Sequence, residues 1–347
     1  MNIPIPDRGS VSPSIVNSPT PDDVVVAIVT YGQRRSMLLA VLDRLRDEAV
    51  GHVVVVDNGA RWPVATELAA RFGGWVETVP MGGNMGSSTG FAAAFETAGQ
   101  AKQPFIWILD DDNRPERGCL ASLLAAHAQE AEHTSLASLA VVAMRTEHFG
   151  GHVSAKQLMT RWDSFSGFHV ADLASKVAHR LPGRRQIVRN RVELGVTHFG
   201  GMLFHRSLLE LHGMPRPDFF MYGDDTEFTW RITSSGGRIV QVTEALVEDL
   251  EGSFQQTSHV RNRFIGALLS DSDFRTYYSV RNLAFFESRF RVRNMAMFAL
   301  NRTVYLAILR RYARRLNRMD RYEFIRASAE EGLAGHLGAN DRFPLVN

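Results

Sequence analysis

Asp110, Asp111 and Asp112 stand in a row at the end of an apolar run, residues 105–109. Adjacent carboxylates repel, and burying them is costly without a compensating cation. The run reads as a buried strand. Its end is therefore a candidate site for a hard divalent metal, bound through oxygens of the chain and of a phosphate. The alternative is a solvated acidic turn, which Asn113 and Pro115 favour. The triple acid alone supports both. A second acidic pair, Asp224-Asp225, could supply a general base, although acids in a first helical turn also serve as dipole caps. Asp57 follows another apolar run, 53–56. It could accept a hydrogen bond from a nucleobase or ribose, or cap an Asp-Asn-Gly turn. Residues 81–90 form a small-residue loop running into a helical pattern, which suits a phosphate or a plain connection. The loop has no Gly-Lys-Ser/Thr and does not directly follow the first strand, so it is neither a P-loop nor a dinucleotide fingerprint. Glu248 and Asp249 could add a metal ligand. His148 and His152 have Gly150-Gly151 between them, which argues against a helix-borne zinc pair.

The elements that must carry these residues alternate. Residues 24–29 form a continuous apolar, β-branched run that predicts a buried strand. Ser36 is the expected cap of a helix with Leu38, Leu42, Leu45 and Ala49 on one face, ended by Gly51. Further strands are expected at 53–56, 105–109 and 139–144. Further helices are expected at 66–72, 90–98 and 117–129, with Cys119 as a buried helix residue. This alternation implies a mostly parallel sheet with helices on both faces. Ligands bind such sheets at the carboxyl ends of the strands. Thr30-Tyr31, Asp57-Asn58 and the triple aspartate all lie at such ends, which moves the reading toward a metal site.

Residues 148–196 read as a loop-rich insertion containing Arg161-Trp162 and a basic patch, 180–191. The pattern then sharpens. A strand is expected at 199–204, a short helix at 206–212, a helix at 224–234, an edge strand at 239–242, and helices from about Thr276 onward.

Bulk composition is that of a globular chain, 45% hydrophobic and 22% charged over 347 residues. The single cysteine excludes an intrachain disulfide framework and fits a reducing compartment. Five prolines fall in the first 21 residues without an apolar core, so residues 1–22 read as a disordered tail and not a signal peptide. No apolar stretch approaches the roughly 20 residues of a spanning helix. From Gln256 onward there are 16 Arg, no Lys and 8 acids, a balance of +8, against −6 for the rest. A basic C-terminal segment on an acidic body implies an anionic partner. The basic residues lack interleaved aromatic platforms, which argues against nucleic acid.

Several motifs together resemble family 2 glycosyltransferases of the GT-A fold, in particular the bacterial galactofuranosyl- and rhamnosyltransferase branches. They are Ile28-Val-Thr-Tyr-Gly-Gln-Arg34, Val55-Val-Asp-Asn-Gly59, Asn84-x-Gly86-x-x-x-Gly90-Phe91 and Trp107-Ile-Leu-Asp-Asp-Asp112-x-x-Pro115. Phe219-Phe-Met-Tyr-Gly-Asp-Asp-Thr-Glu-Phe228 leading to Arg231, and Tyr278-x-x-Arg281-Asn282, complete the set. The resemblance covers about residues 24–285 and is far less specific for the sugar. It implies a Rossmann-like α/β domain over 23–255 and a basic helical region over 256–347.

In that resemblance Thr30, Tyr31, Arg34 and Asp57 hold the nucleotide, with Asn84 and Gly86 near it. Asp110 and Asp112 are the metal pair for Mn²⁺ or Mg²⁺, and Asp111 contacts the donor. Asp225 is the catalytic base and Asp224 positions the acceptor hydroxyl. Two departures stand out. Asp249 occupies the place where the family often has a histidine as third metal ligand, and Ser87-Ser88-Thr89 replaces glycine-rich sequence. The implied activity is inverting, metal-dependent transfer of galactofuranose or rhamnose from a UDP- or dTDP-sugar to a glycan or polyprenyl-linked acceptor in cell-surface polysaccharide synthesis. The implied location is cytoplasmic, with the Arg-rich helices either on the anionic inner face of the membrane or in a homo-oligomer interface. A nucleotidyltransferase and a non-catalytic sugar-nucleotide-binding scaffold are the alternatives.

Overall fold

The computed structural model describes residues 18–145, 161–173, 191–251 and 262–345. His148, His152 and nearly all of the 180–191 basic patch lie outside the described residues, as do residues 1–17 of the expected tail. The part of that tail that is described is ordered. Pro21–Asp23 forms a short 3-10 turn in which the Thr20 hydroxyl and amide both donate to Asp23.

Among the described residues nine strands form one sheet. In chain order they are β1 (Val24–Gly32), β2 (His52–Ala60), β3 (Val76–Pro80), β4 (Phe105–Asp110), β5 (Asn113–Pro115), β6 (Leu139–Arg145), β7 (Arg191–Leu194), β8 (Met202–His205) and β9 (Arg238–Asp249). The spatial order is β3-β2-β1-β4-β8-β6-β9-β5, with β7 also on β9. The first four run parallel. β8 is antiparallel to both its neighbours, β4 and β6. The expected edge strand at 239–242 is instead interior, since β9 pairs with β6 on one side and with β7 and β5 on the other. β3 was not expected; its five residues, interrupted by Glu77 and ending in Pro80, are too few for a periodic signal.

The helices are α1 (Arg35–Asp47), α2 (Val64–Phe72), α3 (Ser87–Gln100), α4 (Cys119–Ala131), α5 (Ser207–His212) and α6 (Asp224–Ser234) on the sheet. α7 (Arg263–Leu269), α8 (Asp273–Phe290), α9 (Met295–Arg315) and α10 (Met319–Ala334) follow. α1 begins at Arg35, one residue before the expected Ser36 cap, and has no side-chain cap. Cys119 is buried at the start of α4, as expected.

Alternation along β1 divides the core in two. Val24, Val26 and Ile28 pack with α1, α2 and α4, whereas Val25, Ala27 and Val29 pack with α3, α5 and α6. Complete burial of such side chains contributes roughly 1.5–3 kcal/mol each. This two-sided burial is what makes the strands continuous apolar runs. A third core joins the C-terminal helices to Phe165 and Phe168 of the insertion. No helix among the described residues is long and apolar enough to cross a membrane.

Candidate active site

Sheet register sets the first wall of the site. Thr30 on β1 lies opposite Asp57 on β2, and Val29 lies opposite Asp110 on β4. The polar strand ends therefore fall in one line along the carboxyl edge of the sheet. The Thr30 hydroxyl donates to Asp111 at 2.8 Å. Arg34, on the turn into α1, donates to Asp111 at 2.6 Å and to Asp112 at 3.1 Å, and also pairs with Glu251. Its guanidinium lies 4.7 Å from the Tyr31 ring centre. Asp111 is only 1% exposed. Burial pushes its carboxyl up to about 7, against the lowering by Arg34 and Thr30.

Arg145 closes the other side. It sits at the carboxyl end of β6 and donates to Asp110 at 2.6 Å and to Asn113 at 3.1 Å. Gly200 makes room for this arrangement, because a Cβ there would collide with the Arg145 guanidinium, Asn113 and Asp110. Burial raises the proton affinity of Asp110, Asp112 adds to it, and Arg145 opposes it.

The second acidic cluster reaches the same place. Burial raises the proton affinity of Asp225, and the Asp110 charge adds to it while Arg145 opposes it. The Thr226 amide, at 2.6 Å, and its hydroxyl, at 3.2 Å, both hold Asp225 Oδ1. Asp224 is 4% exposed, and its Oδ2 has no hydrogen-bond partner. Burial and the neighbouring Asp225 charge push Asp224 up to about 8.

Three adjoining cavities connect these groups. One of about 690 Å³ is lined by Tyr31, Asp57, Gly59, Arg61 and Asn84. A second, of about 490 Å³, contains Arg34, Asp110, Asp111, Asp112 and Arg145 and shares Tyr31 and Asn84 with the first. A third, of about 430 Å³, holds Asp224, Asp225 and His198 and shares Asp110, Arg145 and Tyr222 with the second.

Asp57 lines the first cavity while its Oδ1 accepts from the Ala60 amide at 2.8 Å, so it also caps its turn. Asn58 donates to the Gly86 carbonyl at 3.1 Å and accepts from Met85 at 2.9 Å, pinning the 81–90 loop beneath the cavities. Asn84 faces the cavities. Gly86 lies behind them with φ 85°, packed on the Phe220 carbonyl where no side chain fits. Asp249 pairs in register with Asn113, the residue after Asp112, and the Leu250 amide beside it donates to the Asp112 carbonyl at 2.9 Å. The Asp249 carboxylate accepts from the Glu251 amide at 3.2 Å.

The donor set still fits a divalent cation. Among the described residues Asp110, Asp111, Asp112 and Glu251 meet two guanidiniums, Arg34 and Arg145. Hard carboxylate oxygens with excess negative charge suit Mg²⁺ or Mn²⁺, and one or two carboxylates plus substrate phosphates are a common set for Mg²⁺. Among the described residues no group of three or more His, Cys, Asp or Glu could hold a metal by itself.

Sequence reasoning missed Arg145 and Tyr222. Arg145 had a usable signal, because it ends a predicted strand as Asp57 and Asp110 do. Tyr222 had only its place in the Phe219–Phe228 motif. The C-terminal region was also missed as a wall of the site, yet Ser272, Phe274, Arg275 and Leu345 line the cavity of the triple aspartate.

Comparison with known proteins agrees with this geometry. A profile described as glycosyltransferase-like family 2 matches residues 19–265. The galactofuranosyltransferase GlfT1 of Mycolicibacterium smegmatis is 28% identical over 222 residues, covering 62% of this chain and 68% of that one. Among solved structures, S. aureus TarS residues 1–349 in complex with UDP-GlcNAc has a TM-score of 0.51 at 14% identity, over 89% of this chain and 81% of that one. That likeness shows a shared GT-A-like fold. GalNAc-T7 with UDP, GalNAc and Mn²⁺ has a TM-score of 0.48 at 13% identity. The match covers 67% of this chain but only 44% of that protein, so it carries no argument here.

Proposed function

Because the chain belongs to the glycosyltransferase-like family 2 and is a glycosyltransferase, we propose that it transfers a hexose with inversion from a UDP- or dTDP-sugar to a hydroxyl of a glycan or polyprenyl-linked acceptor. Galactofuranose is the favoured sugar, on the likeness to the galactofuranosyltransferase of M. smegmatis, and rhamnose is the second. The observation that carries the mechanism is the meeting of Asp110–Asp112 and Asp224-Asp225 along one connected set of cavities. No observation favours a nucleotidyltransferase or a binding scaffold.

In this reading Asp57, Tyr31 and Asn84 bound the nucleoside end, and Arg34 with Thr30 fixes Asp111 toward the donor. Asp110 and Asp112 would hold Mn²⁺ or Mg²⁺, which when bound supplies charge stabilisation for the departing diphosphate. Arg145 adds a fixed positive charge at that point. The acceptor oxygen attacks the anomeric carbon as the bond to the diphosphate breaks on the opposite side. Its proton passes to Asp225, whose Oδ1 is held by Thr226, leaving the second oxygen for the acceptor. Asp224, with its raised proton affinity, can donate a hydrogen bond that orients the acceptor hydroxyl. Alignment of the two sugars supplies much of the acceleration.

The basic helices extend the proposal. Arg310, Arg311, Arg314 and Arg315 are exposed on α9, and such a cluster suits an anionic bilayer carrying a lipid-linked acceptor at the cytoplasmic face. Salt-sensitive flotation with anionic liposomes supports this; salt-insensitive exclusion from them, or a dimer through α9, overturns it. The catalytic reading is tested by screening UDP- and dTDP-sugars for metal-dependent turnover, with the product anomer assigned by NMR. Absence of transfer from every donor, or retention of anomeric configuration, overturns it.

A further inference from the structure

The loop before Asp224-Asp225 has an unusual backbone. Phe220 has φ 64° and ψ −54°, and the Met221 amide donates to the Phe219 carbonyl at 2.7 Å. This is a γ-turn of the strained hand, rare for a bulky residue. Tyr222 at φ 65° and Gly223 at φ 89° continue in the left-handed region up to the first residue of α6. Such conformations persist only where the surroundings over-determine them.

The surroundings are α8. Asn282, 1% exposed, donates through Nδ2 to three carbonyls of this loop: Phe219 at 2.9 Å, Met221 at 2.7 Å and Tyr222 at 2.7 Å. Arg281, equally buried, holds Asn282 Oδ1 at 2.9 Å and also donates to Phe219 at 3.2 Å. Its third arm reaches the Gly338 carbonyl at 2.7 Å, and the Gly338 amide returns to Asp218 on the same loop at 2.7 Å. The guanidinium lies 4.8 Å from the Tyr278 ring centre. Gly332 of α10 lets α8 pack backbone to backbone, since a Cβ there would strike the Arg281 carbonyl.

The turn also faces the donor side. The Phe220 carbonyl, redirected by the γ-turn, accepts from Ser88 at the start of α3 at 3.2 Å. It is this same oxygen that excludes a side chain at Gly86. One strained peptide thus links the 81–90 loop, the base loop and the C-terminal helices.

We propose that Asn282, oriented by Arg281, is a positioning residue for sugar transfer. It sets the backbone that carries Tyr222, Asp224 and Asp225 into the acceptor cavity and keeps that loop in register with the donor loop. This explains why the Tyr278-x-x-Arg281-Asn282 motif belongs to the enzyme although none of its side chains is placed at the reacting atoms. The inference rests on the reading of Asp225 as base.

Asn282→Asp tests it, because it keeps the shape and removes the Nδ2 donors. Hydrogen exchange should rise across residues 217–226 and not in β1 or β4, while affinity for UDP with Mn²⁺ is retained. With UDP-galactofuranose and an alkyl glycoside acceptor, kcat should fall about 100-fold, the loss expected of a misplaced reacting group, and the acceptor KM should rise while the donor KM holds. Arg281→Lys should show the same pattern more weakly, and serves if Asn282→Asp does not fold. Unchanged exchange in 217–226, unchanged kcat, or a loss of UDP binding in step with kcat would each overturn the proposal. If Asp225→Asn leaves turnover intact, the base reading fails while the exchange result still reports on the clasp.

Discussion

Asp110, at the end of β4, and Asp225, in the first turn of α6, are neighbours. The charge on Asp110 adds to the burial that raises the proton affinity of Asp225, and Arg145, bonded to Asp110 at 2.6 Å, opposes both. The group proposed to take the acceptor proton is therefore tuned by the group proposed to bind the metal.

Replacing Asp225 with Asn should cut turnover about 100-fold or more while leaving nucleotide affinity nearly intact. In the wild type, kcat/KM should fall as pH drops through the raised value of Asp225, so its acid limb should lie above the ordinary aspartate value of about 3.9. Steady-state kinetics across pH, paired with calorimetric titration of UDP, measures both. An acid limb at the ordinary value would remove Asp225 from the base role.

Gly200→Ala should disturb the Arg145–Asp110 pair. The added methyl meets the ends of three side chains, Arg145, Asn113 and Asp110, so these groups must shift apart around it. Turnover should drop about 10- to 100-fold, because positioned charges are displaced at the reacting centre. A variant with wild-type melting temperature and wild-type kcat would show that the Arg145–Asp110 pairing is dispensable.

Asp224 should make the fold less stable as pH rises. A carboxyl whose proton affinity is raised in the folded state contributes stability below its unfolded value near about 3.9, and that contribution is lost as pH rises through about 8. Asp224→Asn should flatten the melting-temperature profile across this window and melt higher than wild type at alkaline pH. It should still lower kcat. Parallel pH profiles for the two proteins would count against a raised proton affinity at the buried Asp224.

Chelation with EDTA should abolish turnover, and added Mn²⁺ or Mg²⁺ should restore it. Asp112→Asn should weaken metal-dependent UDP binding about 10- to 100-fold. Turnover unaffected by EDTA would dismiss the metal reading of the triple aspartate.

Asn58→Ala should loosen the 81–90 loop by taking from the Met85 amide its Asn58 acceptor, and from the Gly86 carbonyl one of its two donors, the other being the Gly90 amide. The unmade Met85 bond costs roughly 1–3 kcal/mol. Affinity for UDP should fall about tenfold, the equivalent of about 1.4 kcal/mol, with melting temperature lowered only modestly. Calorimetry on the two proteins decides it.

Most of the first half of the fold was readable from local pattern. Strands buried on both faces must be apolar throughout, and helices packed on them must repeat an apolar face, so β1, β2, β4, α1 and α4 announced themselves. The same logic picked out Thr30, Asp57 and Asp110–Asp112, because polar residues directly after buried strands have only one edge of a parallel sheet to occupy. Asp224 and Asp225 were visible as a cluster, but nothing local could say that they face Asp110. That depends on β8 running antiparallel between β4 and β6, which brings Gly200, Arg145 and α6 to the same edge. The interior place of β9 was likewise settled by pairing partners far away in sequence. The Phe219–Phe228 and Tyr278-x-x-Arg281-Asn282 motifs were both visible, but nothing local showed that Asn282 holds the turn at Phe220, since the three carbonyls it binds have no side-chain identity to read. Periodicity and strand-end chemistry are local and survive in the sequence. Electrostatic coupling and backbone clasping act through space, and only the folded chain decides them.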